Sequence, residues 1–152
     1  MTADQPPKDL IGFLDFYLVK KAPVQLPDAA KEWIVRYSPW ITLVVILIVL
    51  PALLVVLGIS AAFLPWAGYA GYGYAYGAWF AYAWVFLIIT VGLEVLALPG
   101  LFARKMSGWR LVFYARLVAI VYDILTNNWV GGIVGGLVSL YVLFQIRPLY
   151  RD

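Results

Sequence analysis

A chain of 152 residues that is 64% hydrophobic and only 12% charged carries more apolar surface than a soluble domain of this size can bury. Its net charge of +3 comes from basic residues near the ends of apolar stretches, which points to a membrane rather than to nucleic acid. Histidine and cysteine are both absent, which excludes disulfides, thiol redox chemistry, imidazole or thiolate metal sites, and Cys or His catalysis.

The basic residues fall on alternate connections. Lys8, Lys20, Lys21, Lys31 and Arg36 precede the first apolar stretch, Arg104, Lys105 and Arg110 sit centrally, and Arg147 and Arg151 close the chain. Residues 64–77 and 126–130 carry no charge. Basic connections stay on the cytoplasmic side. The pattern predicts an all-α polytopic protein of the cell membrane, with four transmembrane helices and both termini cytoplasmic. One or two short interfacial amphipathic helices precede the spans.

Residues 1–7 are polar and proline-bearing and read as disordered. Residues 8–21 hold Leu10, Ile11, Phe13, Leu14, Phe16, Tyr17 and Leu18. Only a narrow polar edge remains at Gly12, Asp15 and Lys20, as in a short helix pressed into the interface or against a bundle. After a linker with Pro23 and Pro27, Asp28 can cap a second short helix over residues 29–37. Ala29, Ala30, Trp33, Ile34 and Tyr37 would share one face of it, and Lys31, Glu32 and Arg36 the other. Residues 1–38 thus form a cytoplasmic and interfacial segment.

Ser38-Pro39 reads as a helix start, opening a transmembrane domain over residues 39–147. Its first span covers residues 39–63, with Pro51 bending it. Residues 64–82 are crowded with aromatics, among them Trp66, Tyr69, Tyr72, Tyr74, Tyr76 and Trp79. They form a belt at the outer interface, a recognition surface for a sugar, headgroup or protein, or a re-entrant loop. The second span covers residues 77–98, ended by Pro99-Gly100. The third covers 109–126, and Asn127-Asn128-Trp129 makes a turn. The fourth covers 130–146, stopped by Arg147-Pro148, and residues 148–152 are a cytoplasmic tail.

Ionisable side chains within the spans are costly, so they pair, face the bundle or snorkel. Glu94 and Arg116 lie in the same third of adjacent antiparallel spans and are predicted to form an ion pair. Asp123 has no basic partner near its end of the bundle and is a candidate proton or cation site. Gly131, Gly132, Gly135, Gly136 and Ser139 form a small-residue strip for close helix packing, on the third span or on a second copy. The Gly-rich stretches lack the order of a phosphate loop, and no acidic or ligating set suggests hydrolysis or metal.

These features predict a non-catalytic scaffold or accessory subunit that binds the bilayer and other membrane components, and no cofactor or nucleic acid. One alternative is a small transporter or channel with Asp123, Glu94 and Arg116 on a polar path. Another is a lipid-binding or membrane-shaping protein.

Overall fold

The computed structural model describes residues 9–22, 24–71 and 73–152. Among the described residues the chain is nearly all helix, with no strand. Helix α1 (Leu10–Asp15) runs into a π turn, Phe16–Lys20. Helices α2 (Asp28–Tyr69), α3 (Gly73–Phe102) and α4 (Met106–Leu125) follow. A second π turn, Gly131–Gly135, leads into α5 (Gly136–Ile146) and a closing 3-10 turn, Arg147–Leu149. Successive long helices pack as antiparallel neighbours, α2 on α3, α3 on α4 and α4 on α5. The stretches Asp28–Val55, Ala81–Phe102 and Gly131–Leu149 are long and apolar enough to cross a membrane. Helix α4, which carries Arg110, Arg116 and Asp123, is not one of the three.

The expected interfacial helix over residues 29–37 is not separate. It is the first part of α2, which passes through Ser38-Pro39 unbroken and also contains Pro51 and Pro65. A proline inside a helix costs about 3 kcal/mol. Val35, Pro39 and Ile46 are buried at positions that share one helical stripe. Burial along that stripe holds the helix where local preference would end it. Trp33 and Tyr37, on the expected aromatic face, stand exposed, while Val35 is buried against the rest of the chain.

The expected loop over residues 64–77 is largely helical as well. Helix α2 continues to Tyr69, and the turn closes through Gly71 at φ 77°, a conformation that glycine adopts without strain. Pro99-Gly100 does not stop α3, which reaches Phe102. The reason for Gly100 is contact. A Cβ there would lie 2.6 Å from the Gly108 backbone, and one on Gly108 would lie 2.5 Å from Gly100. The two glycines let α3 and α4 touch backbone to backbone. The Phe86 and Tyr122 rings meet higher on the same pair, at 5.5 Å. In that register Leu125 lies opposite about residue 83, so the α2–α3 hairpin overshoots the end of α4 by roughly ten residues, ~15 Å.

The core lies at the other end of the bundle. Trp109 and Phe113 stack in parallel at 5.6 Å, and Phe144 meets both edge-on at 5.2 and 5.7 Å. Val35, Ala97, Leu101, Leu140, Leu143, Ile146 and Tyr150 complete the buried cluster. The indole N–H of Trp109 donates to the Leu143 carbonyl at 2.8 Å. That carbonyl is free because the Arg147 N–H turns to Phe144 instead, as helix ends require.

The N-terminal segment is sewn onto this end. Asp9 caps α1 by accepting from the Gly12 N–H at 2.8 Å. Arg147 pairs with Asp15 at 3.1 Å and lies 5.4 Å over the Trp109 ring. Buried Gln145 donates to the Leu18 carbonyl at 3.3 Å, and the Tyr141 hydroxyl donates to the Val24 carbonyl. The C-terminal tail joins the same surface through Arg151, whose N–H donates to Arg104 O at 2.9 Å and whose carbonyl accepts from Met106 N at 2.7 Å. The segment expected over residues 8–21 therefore lies against the bundle. The expected disorder of residues 1–7 falls outside the described residues.

Candidate functional site

Three regions gather the polar and aromatic side chains. The first is the end where α1, the start of α2, the α3–α4 connection and the C-terminal tail meet. Arg104 stands in the middle of that connection in the left-handed region, at φ 50°, which is unfavourable for a residue with a Cβ. Its backbone is held there by Arg151, and its guanidinium pairs with Glu32 of α2 at 3.1 Å. A cleft of about 420 Å³ opens on one side of this pair, lined by Ala29, Glu32, Trp33, Arg36, Tyr37 and Arg104. Another of about 370 Å³ opens on the other, with Ala103, Pro148, Leu149 and Arg151 beside the same pair. Arg36 lies 5.8 Å over the Tyr37 ring, and Trp33 meets Tyr37 at 5.1 Å.

The second region holds the charges on the long helices. Among the described residues the ion pairs are Lys31–Asp28, Arg104–Glu32 and Arg147–Asp15. Arg116 is the cation whose field reaches Glu94, yet the two make no contact within the 4.0 Å of an ion pair. Their placement explains this. Arg116 shares the α4 stripe of Trp109, Phe113 and Ile120 at helical spacing. Trp109 and Phe113 are buried and Ile120 lies under Gly136. Arg116 is nevertheless exposed, so its guanidinium lies away from the buried stripe. Glu94 lies half-buried on the α3 stripe of Ala97 and Leu101.

Asp123 sits at the far end of α4. Its carboxylate accepts from the Asn128 side-chain amide at 2.9 Å, and its carbonyl accepts from the Asn128 N–H at 2.8 Å. Asn128 also accepts from the Gly131 N–H at 3.3 Å, so Asp123 is tied to the turn into α5. Asn127 adopts φ 60° there, a conformation asparagine tolerates. Among the described residues no group of three His, Cys, Asp or Glu side chains could hold a metal.

The glycine strip divides. A Cβ on Gly132 would meet Asp123 at 2.9 Å, and one on Gly136 would meet Ile120 at 2.8 Å. Gly131 lies against the Asn128 side chain, whereas Gly135 faces open space. Ser139 donates to the Gly136 carbonyl at 2.9 Å. Gly132 and Gly136 thus set the α4–α5 distance.

The third region is the aromatic hairpin. Trp66 is 71% exposed and Tyr82 66%. The side chains of Tyr69, Tyr72, Tyr74, Tyr76 and Trp79 lie outside the described ones.

No protein family matches this chain, and neither does a curated protein or a solved structure. Residue-level reading missed Gln145, Tyr141 and Trp109 as the stitches of the basic end. Their signal is a polar atom on an otherwise apolar helix, which is ambiguous until the partner carbonyl is located.

Proposed function

We propose that the chain is a small integral membrane protein of the plasma membrane. It crosses four times with both termini cytoplasmic and serves as a non-catalytic scaffold or accessory subunit. Helix α4 runs antiparallel between α3 and α5, so if both of those cross, α4 must cross as well. What sets it apart from the three apolar stretches is its ionisable residues, Arg110, Arg116 and Asp123. The basic residues around both termini and the α3–α4 connection favour the cytoplasmic side for that end.

The observation that carries the scaffold reading is how little of the α2–α3 hairpin the chain covers. Only 12% of the apolar window of α2 and 11% of that of α3 is buried, against 39% for the C-terminal span. Trp40, Ile41, Val44, Val45, Leu47 and Ile48 are all exposed, and successive positions cover more than one side of the helix. Such a hairpin offers a long face to other membrane helices, with packing rather than water exclusion as the driving force. Mild-detergent purification of the tagged protein followed by mass spectrometry tests the reading. A membrane protein recovered in fixed ratio supports it; recovery of the chain alone, across several detergents, sinks it.

A small transporter or channel is the second reading, favoured by the exposure of Arg116 within a buried stripe beside Glu94. Vesicles containing the purified protein that pass no proton, ion or small solute above background would exclude it.

A further inference from the structure

The cleft between the start of α2 and Arg104 has a chemistry that neither of these readings uses. Its lining side chains combine guanidinium groups with aromatic rings. Arg104 is neutralised by Glu32, but Arg36 has no carboxylate partner among the described residues, its contact being the Tyr37 ring. Arg151, across the Arg104–Glu32 pair, engages through its backbone. In the cleft itself one carboxylate, Glu32, therefore stands with two guanidinium groups, Arg36 and Arg104, an excess of positive charge suited to an anion.

The same face continues as an apolar track. Trp33, Tyr37, Trp40 and Val44 follow one another at helical spacing along α2, with exposures of 58%, 41%, 57% and 51%. Phe102 of α3, 45% exposed, meets Trp40 edge-on at 5.2 Å. A cationic cleft at the end of an exposed apolar groove suits a molecule with an anionic head and a hydrocarbon tail. Free inorganic phosphate would use only the first part. Aromatic side chains at headgroup level and basic residues beside spans are the usual elements of such recognition.

We propose that this cleft binds the phosphate headgroup of an anionic lipid between Arg36 and Arg104, with an acyl chain along Tyr37, Trp40 and Phe102. The site rests on the membrane-spanning reading and not on the scaffold reading.

The test uses the full chain, purified in neutral detergent and presented with phosphatidylglycerol or phosphatidylcholine, with bound lipid counted by native mass spectrometry. Phosphatidylglycerol should be retained preferentially. Arg36→Gln should reduce that preference about fivefold, the effect expected of one interfacial cation, and Arg36→Lys should largely keep it. Glu32→Gln, which removes the only carboxylate of the cleft, should strengthen retention. Arg110→Gln, an exposed basic position on α4 outside the cleft, should leave it unchanged. Equal losses in Arg36→Gln and Arg110→Gln would overturn the site in favour of diffuse surface charge. So would the absence of any lipid preference, or displacement of the lipid by millimolar inorganic phosphate as effectively as by phosphatidylglycerol. Failure of the membrane-spanning reading looks different: the protein would leave membranes under alkaline carbonate extraction, whatever lipid it retained.

Discussion

Single side chains at the basic end carry unusual weight, because each one closes a backbone group that a helix end leaves open. Trp109 is the clearest case. It is 1% exposed, and its N–H satisfies the Leu143 carbonyl. Trp109→Phe keeps most of the packing but strands that carbonyl away from water. The expected loss is about 1–3 kcal/mol, read as a lower unfolding midpoint in detergent; an unchanged midpoint would show that the carbonyl finds water. Tyr150 makes a pH-dependent contribution. Burial raises its hydroxyl above the ordinary tyrosine range, while Ser38 and the charge of Arg104 pull weakly the other way. Ser38 Oγ itself is buried short of a regular hydrogen bond. Because ionisation is easier in the unfolded chain, the stability from the neutral phenol is complete below about pH 10. It is lost as pH rises from there through the folded value. Tyr150→Phe should flatten this alkaline decline relative to the parent; identical pH profiles would contradict it.

The elements themselves are spaced by glycine. Gly136 rests on Ile120, and Gly135, one position away, faces nothing. Gly136→Leu should therefore force α4 and α5 apart, at about 1–3 kcal/mol for an overpacked contact. Gly135→Leu should leave the isolated chain's stability unchanged. Comparable losses from both would mean that Gly135 also faces a covered surface. This asymmetry marks where the sequence was informative. Small residues one turn apart announced a close approach, but not which of them makes it. The close approach of Gly100 to Gly108 was hidden because Pro99-Gly100 has the local form of a helix stop. Pro39 misled in the same way. Turn chemistry is read from neighbours in sequence, whereas the buried Val35–Pro39–Ile46 stripe is decided by what packs on α2. The all-helical character and the presence of stretches apolar enough to cross a membrane were legible because they depend on composition. The candidate site was legible in its charges and in the polar turn beside Asp123, where Asn127 and Asn128 are ready partners for the carboxylate and Asn128 is the one that takes it. The separation of Glu94 from Arg116 was not legible, because it depends on side-chain reach.

At the scale of the whole molecule, the described residues form two unequal hairpins packed together along α3 and α4. The α4–α5 hairpin is short and comparatively well covered. The α2–α3 hairpin is longer, thinly covered and aromatic at its tip. In the proposed orientation that tip stands on the outer side, beyond the turn between α4 and α5. Because the chain has no native cysteine, single cysteines can report its sidedness without background. Cysteines at Ala70 and Asn127, both exposed, should react with a membrane-impermeant maleimide from outside intact cells. Cysteines at Lys105 and Asp152 should react only after permeabilisation. Labelling of Asn127→Cys and Lys105→Cys from the same side would mean that α4 does not cross.

The contacts of Asp15, Leu18 and Val24 with Arg147, Gln145 and Tyr141 impose an order of events on synthesis. The stretch from Asp15 to Val24 has its seat on α5 and the 3-10 turn, 117 to 132 residues further along the chain. It stays unseated until the intervening helices have been made. Ring-closure entropy grows only logarithmically with the separation, so the long wait adds little to the thermodynamic cost of seating it. A nascent polypeptide halted before Tyr141 would still display α1 and the π turn without any of these three partners, a visible mark that assembly is unfinished.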